Sequence, residues 1–111
     1  MVNFIKSADS KIKINEDASY LLNDALHVNA VFTASGTVEK DNPVLRVNLP
    51  SVGKHAELGW YNTSSEYAAT AAANVKDTVS SVDGIHDITI SLSAATADSQ
   101  EYHIEGWIKL P

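Results

Sequence analysis

Apolar and polar residues alternate along most of the chain, and the alternation predicts β-strands. In "KIKINE", Ile12 and Ile14 fall on one face, with Lys11, Lys13 and Asn15 on the other. "LHVNAVFTA" sends Leu26, Val28, Ala30, Phe32 and Ala34 one way and His27, Asn29, Val31 and Thr33 the other. "VLRVNLP" separates Leu45, Val47 and Leu49 from Arg46 and Asn48, and "HDITISLS" separates Ile88, Ile90 and Leu92 from Asp87, Thr89 and Ser91. "YHIEGWIKL" sets Tyr102, Ile104, Ile108 and Leu110 against His103, Glu105, Trp107 and Lys109. "VNFIK" and "AELGWY" are shorter candidates. Strands with one apolar and one polar face belong to antiparallel sheets.

The breaks carry turn chemistry: "ASG" at 34–36, "DNP" at 41–43, "LPSVG" at 49–53, "VDG" at 82–84 and "TADSQ" at 96–100. The expectation is a mainly β, all-β fold: one antiparallel β-sandwich of Ig-like or jelly-roll type, with about seven strands. One segment breaks the alternation. "NTSSE" offers Thr63 as helix N-cap with Glu66 three residues on. The alanine-rich tract that follows places Ala68, Ala72, Val75 and Val79 on one stripe at helical spacing. A short helix around residues 64–80, lying across the end or edge of the sandwich, is therefore expected, with an ordered loop as the alternative. Residues 1–111 read as a single domain, without repeat, linker or low-complexity tail.

Length agrees with this, since 111 residues can bury a core without help from a metal or disulfide. The absence of cysteine excludes a disulfide framework, a thiol nucleophile and a thiolate metal site. The formal charge is −6, and the eight Lys and Arg are scattered in the sequence, so neither nucleic acid nor an anionic membrane surface is an expected partner. "MVNFIKSADS" has no apolar run fit for a signal peptide, and no segment approaches ~20 apolar residues. The compartment stays open. The chain ends are expected to be held in a sheet or against a partner.

Candidate chemistry is thin. His55 with Glu57, and His103 with Glu105, pair potential ligands on one strand face, but too few converge for a metal site, and solvated strand faces are the plainer reading. No GxSxG elbow or Gly-rich phosphate loop is present, and His86 and Asp87 point to opposite faces of a strand. Neither an enzymatic activity nor a cofactor is expected. "NTS" at 62–64 matches a glycosylation sequon and is read as the helix cap.

Aromatic placement says more. Trp60 shares parity with Ala56 and Leu58 and belongs inside, whereas Tyr61 faces away from it. Trp107 falls on the polar face beside His103 and Glu105. It is either a contact anchor or, under a second covering layer or a register shift at Gly106, ordinary core. His27 and Val31 join it if their strands are neighbours. The candidate contact residues are thus Trp107, His103, Tyr61, Tyr67 and His27.

The Ala/Ser/Thr/Asn/Val-rich composition, small size and missing cysteine resemble small virion proteins of tailed bacteriophages, such as capsid decoration proteins and fibre or tail-tip domains. The likeness is one of style over the whole chain, and no motif carries it. It implies a structural module whose partners are proteins, through self-association or a larger scaffold such as a capsid. The competing expectation is a carbohydrate-binding sandwich, with sugar rings on Tyr61, Tyr67 and Trp107 and a polar contact from His103.

Overall fold

A computed structural model describes residues 5–22, 25–49, 55–63, 73–79 and 86–109. These form nine strands: β1 (Ile5–Ser7), β2 (Ile12–Asp17), β3 (Tyr20–Leu22), β4 (Ala25–Ala34), β5 (Pro43–Leu49), β6 (His55–Asn62), β7 (Ala73–Val79), β8 (His86–Leu92) and β9 (Glu101–Lys109). Two antiparallel sheets pack together. One has the order β1-β5-β8-β7 and the other β2-β4-β9-β6, with β3 also paired to β4. The chain passes between sheets from β1 to β2, β4 to β5, β5 to β6, β6 to β7 and β8 to β9.

Alternation decides which side chains meet between the sheets. Leu26, Val28, Ala30, Phe32 and Ala34 of β4 are all fully buried, as are Ile104 and Ile108 of β9. From the facing sheet come Leu45, Val47, Ile88, Ile90 and Leu92. A residue such as Phe32 or Leu45 gains about 1.5–3 kcal/mol from that burial. Bulges adjust the period where it slips. One between Pro43 and Leu45 lets Val44 and Leu45 both turn inward. Another between Ile14 and Glu16 leaves Asn15 free to bond Thr33 Oγ1 at 2.6 Å.

The helix expected around 64–80 does not form over its second part, where Ala73–Val79 is strand β7 paired to β8, with Val75 opposite Ile90. The rest of that segment, residues 64–72 and position 80, lies outside the described residues. A spacing of four, as between Val75 and Val79, is even, so it suits one face of a strand as well as a helical stripe. β-branched Val and Thr, offered an unpaired edge on β8, take the strand. The expected cap also has another role: Thr63 N–H donates to the Glu101 carbonyl at 2.9 Å, and its hydroxyl donates to the same oxygen at 3.1 Å. Nine strands replace the expected seven because β3 and β7 were not anticipated. The chain ends, 1–4 and 110–111, fall outside the described residues. No helix among the described residues is long and apolar enough to cross a membrane.

The sheet edges are closed against each other. β1 lies beside β2, and β6 beside β7. Ile5 N–H donates to Asp17 Oδ2 at 2.9 Å, and the Ser7 hydroxyl donates to the Ile12 carbonyl at 2.7 Å. At the end where β4 stops and β9 starts, loops 35–42 and 93–100 are sewn together by buried Thr96. Its hydroxyl donates to the Gly36 carbonyl at 2.9 Å and accepts from Val38 N–H at 2.7 Å.

Candidate functional site

Three strands, β4, β9 and β6, present their polar residues on the outer face of the five-stranded sheet. The register is continuous through Gly106, which pairs with Val28 on one side and Leu58 on the other. Trp107 therefore stays on the outer face, between His27 and Glu57. Gly106 matters for another reason. A Cβ at this position would collide with the Glu57 carbonyl oxygen and sit 2.7 Å from Leu58 Cα, so only glycine lets β6 lie this close to β9.

One cross-strand row gathers most of the aromatic surface: Tyr20, His27, Trp107 and Glu57, on β3, β4, β9 and β6 in turn. The His27 ring lies between the other two rings, 4.8 Å from Tyr20 and 4.6 Å from Trp107, centroid to centroid. Tyr20 meets Trp107 edge-on at 6.2 Å, a geometry favoured by ring quadrupoles. His27 Nε2 is 4.0 Å from Glu105 Oε2, while its buried Nδ1 has no hydrogen-bond partner among the described residues. Trp107 is 39% exposed, and Tyr20, Leu21 and Leu22 are 45%, 47% and 53% exposed. An apolar patch thus runs from Trp107 around the β3 edge. Beside it, Ala25, Glu57, Trp107 and Lys109 line an open depression of about 360 Å³.

Two outward rows along, Val31, His103 and Tyr61 are cross-strand neighbours. The Tyr61 hydroxyl is 2.8 Å from His103 Nδ1, and His103 Nε2 is 2.6 Å from Asn29 Oδ1. Because a carbonyl oxygen only accepts, Nε2 donates to Asn29, and Nδ1 shares the second hydrogen bond with the tyrosine hydroxyl. Both ring nitrogens are used, so His103 bridges Tyr61 on β6 and Asn29 on β4 and fixes the three side chains relative to one another. Trp60 points the other way. It is partly buried, packs against Tyr102 at 5.6 Å and donates from Nε1 to Ser93 Oγ at 3.3 Å.

The structure places four of the five candidates, Trp107, His103, Tyr61 and His27, on this one face. His27 adjoins Trp107 and Tyr61 adjoins His103, in separate clusters. Tyr67 lies outside the described residues. Sequence reasoning missed Tyr20, Leu21 and Leu22, since a three-residue apolar strand is too short to display a period. It also missed the depression formed by Glu57 and Lys109 around Trp107. Among the described residues, no three His, Asp or Glu side chains converge in a way that could hold a metal ion.

The opposite outer face contrasts with this one. There the corresponding row, across β1, β5, β8 and β7, is Lys6, Arg46, Thr89 and Lys76. Arg46 Nε lies 3.1 Å from Asp87 Oδ1, a charge contact without hydrogen-bond alignment between two half-exposed groups.

Comparison with protein-family models, with curated proteins and with solved structures finds no match.

Proposed function

We propose that the protein is a non-enzymatic assembly module, a small virion component such as a capsid decoration, fibre or tail protein. It acts through protein contacts made by the outer face of the five-stranded sheet. The observation that carries this reading is the exposed apolar surface of Trp107, Tyr20 and Leu22 on one outer face, with Leu21 exposed on the other side of the same short strand. A tryptophan held by a neighbouring ring and flanked by charged residues resembles the centre and rim of a protein interface. We take the sandwich to be of Ig-like or jelly-roll type. Its two central pairs, β4 with β9 and β5 with β8, join strands far apart in the chain, as interlocked Greek keys do.

A carbohydrate-binding role is the second reading, favoured by the depression in which Trp107 sits between Glu57 and Lys109. It ranks lower because His27 already covers part of the Trp107 ring, at 4.6 Å.

Hydrogen exchange at low and high protein concentration tests the first reading. Amides of 20–22 and 105–109 are expected to gain protection as concentration rises, and Trp107→Ala is expected to remove that gain while leaving far-UV circular dichroism unchanged. Concentration-independent exchange, together with Trp107-dependent binding on a glycan array, would establish the second reading in its place.

A further inference from the structure

The partner for the aromatic face is carried by the molecule itself: we infer that the outer face of the five-stranded sheet docks on the outer face of the four-stranded sheet of a second copy. This rests on the assembly reading above and names its partner. The argument is complementarity of charge and of spacing.

Along the strands of the five-stranded outer face stand four carboxylates, Glu16, Glu57, Glu101 and Glu105, against two ammonium groups, Lys13 and Lys109. The four-stranded outer face has three cations, Lys6, Arg46 and Lys76, against one carboxylate, Asp87, which is already engaged by Arg46. The chain as a whole is strongly acidic, at −6, so a face with a cationic surplus runs against the average of the molecule. The surplus is also ordered. Lys6, Arg46 and Lys76 stand in a single row that crosses the whole sheet, with Thr89 filling the remaining place.

Row meets row in kind. Strands lie about 4.8 Å apart in either sheet, so four-strand rows have the same length, roughly 14 Å. Laid over one another, the cationic row puts guanidinium and ammonium groups against the faces of Tyr20 and Trp107, where the ring quadrupole attracts them. Glu105, exposed beside the aromatic row, supplies the opposite charge. Two copies of the same face would instead set carboxylates against carboxylates, which disfavours a face-to-face twofold dimer.

Such a contact is heterologous. It propagates into a stack, or closes into a ring if the rotation allows. Its area sets its strength. Four strands of about seven residues cover roughly 450 Å² per partner, short of the ~800 Å² of a standard stable interface. Each junction is therefore weak, and assembly depends on protein concentration and falls with salt.

Complementation tests this with the full chain. Lys6→Glu/Arg46→Glu/Lys76→Glu spoils one face only and Trp107→Ala the other, and each is expected to weaken self-association about tenfold or more. An equimolar mixture of the two still has one intact pair of faces. It is expected to stop at a dimer, twice the 11.9 kDa of the chain, by light scattering. The neutral Lys6→Gln/Arg46→Gln/Lys76→Gln variant gives the same pattern if charge and not folding is responsible. Concentration-dependent protection of 20–22 and 105–109 that survives the triple reversal would overturn the face-to-opposite-face contact and leave the assembly reading standing. A monomeric wild type that shows no such protection would overturn both. Wild-type assembly untouched by the reversal, alongside lost retention on an anionic polysaccharide, would assign the row to a polyanion and likewise defeat the proposal.

Discussion

Across the four-stranded sheet the central outward row reads Lys6, Arg46, Thr89, Lys76, and across the five-stranded sheet a row nearer one end reads Tyr20, His27, Trp107, Glu57. The inward residues of the two sheets show no such contrast. Val47 and Ile90 on one side, and Val28 and Ile104 on the other, are fully buried aliphatics filling a shared space. The inside is constrained by packing to one chemistry, because a void or an excess methyl group costs stability wherever it falls. The outside carries no such constraint, so its two faces are free to differ in chemistry. On the aromatic face, side chains are tied to one another, as in Tyr61–His103–Asn29. On the cationic face the charged groups are tied by the half-exposed Arg46–Asp87 pair, with exposed hydrogen bonds such as Asn74 to Asp41 toward the loops.

The contrast can be broken most severely from within. Gly106→Ala should push β6 away from β9 and destabilise the protein by about 3 kcal/mol, read as a lowered urea midpoint. An unchanged midpoint would mean the two strands tolerate separation and the aromatic row is not rigidly set. A smaller effect is expected from His103→Phe, which leaves the Tyr61 hydroxyl and the Asn29 carboxamide without their shared partner, at about 1.5 kcal/mol. The smallest should come from Arg46→Gln. An exposed ion pair contributes under about 0.5 kcal/mol, less still in high salt. If denaturant unfolding ranked Arg46→Gln above His103→Phe, the division into a knitted face and a loosely charged one would not hold.

Much of this was legible in the residues. The parity of β4 and β8, of Leu45 and Val47 on β5, and of Tyr102, Ile104 and Ile108 on β9 identified inward residues, because burying one face of a strand leaves little freedom of register. Val44 escaped it because a bulge turns two successive residues inward. Parity also sent Trp107, His27, His103 and Tyr61 outward. What parity cannot express is which strands neighbour each other. That His27 stands beside Trp107, and that Lys6, Arg46 and Lys76 line up, are facts of pairing between distant segments. In the linear string those three cations look scattered. The β7 segment misled for a different reason. Alanine is permissive, and Val75 and Val79 fit either period until the edge of β8 is there to decide.

The seam between β1 and β2 has a bearing on storage as much as on folding. A carboxylate from Asp17 occupies the Ile5 amide that a stranger's carbonyl would otherwise seek. Replacing Asp17 with alanine would bare that amide and invite cross-β ribbons at the flank of the molecule. A single carboxylate thus caps a backbone donor through which that flank could recruit a foreign strand.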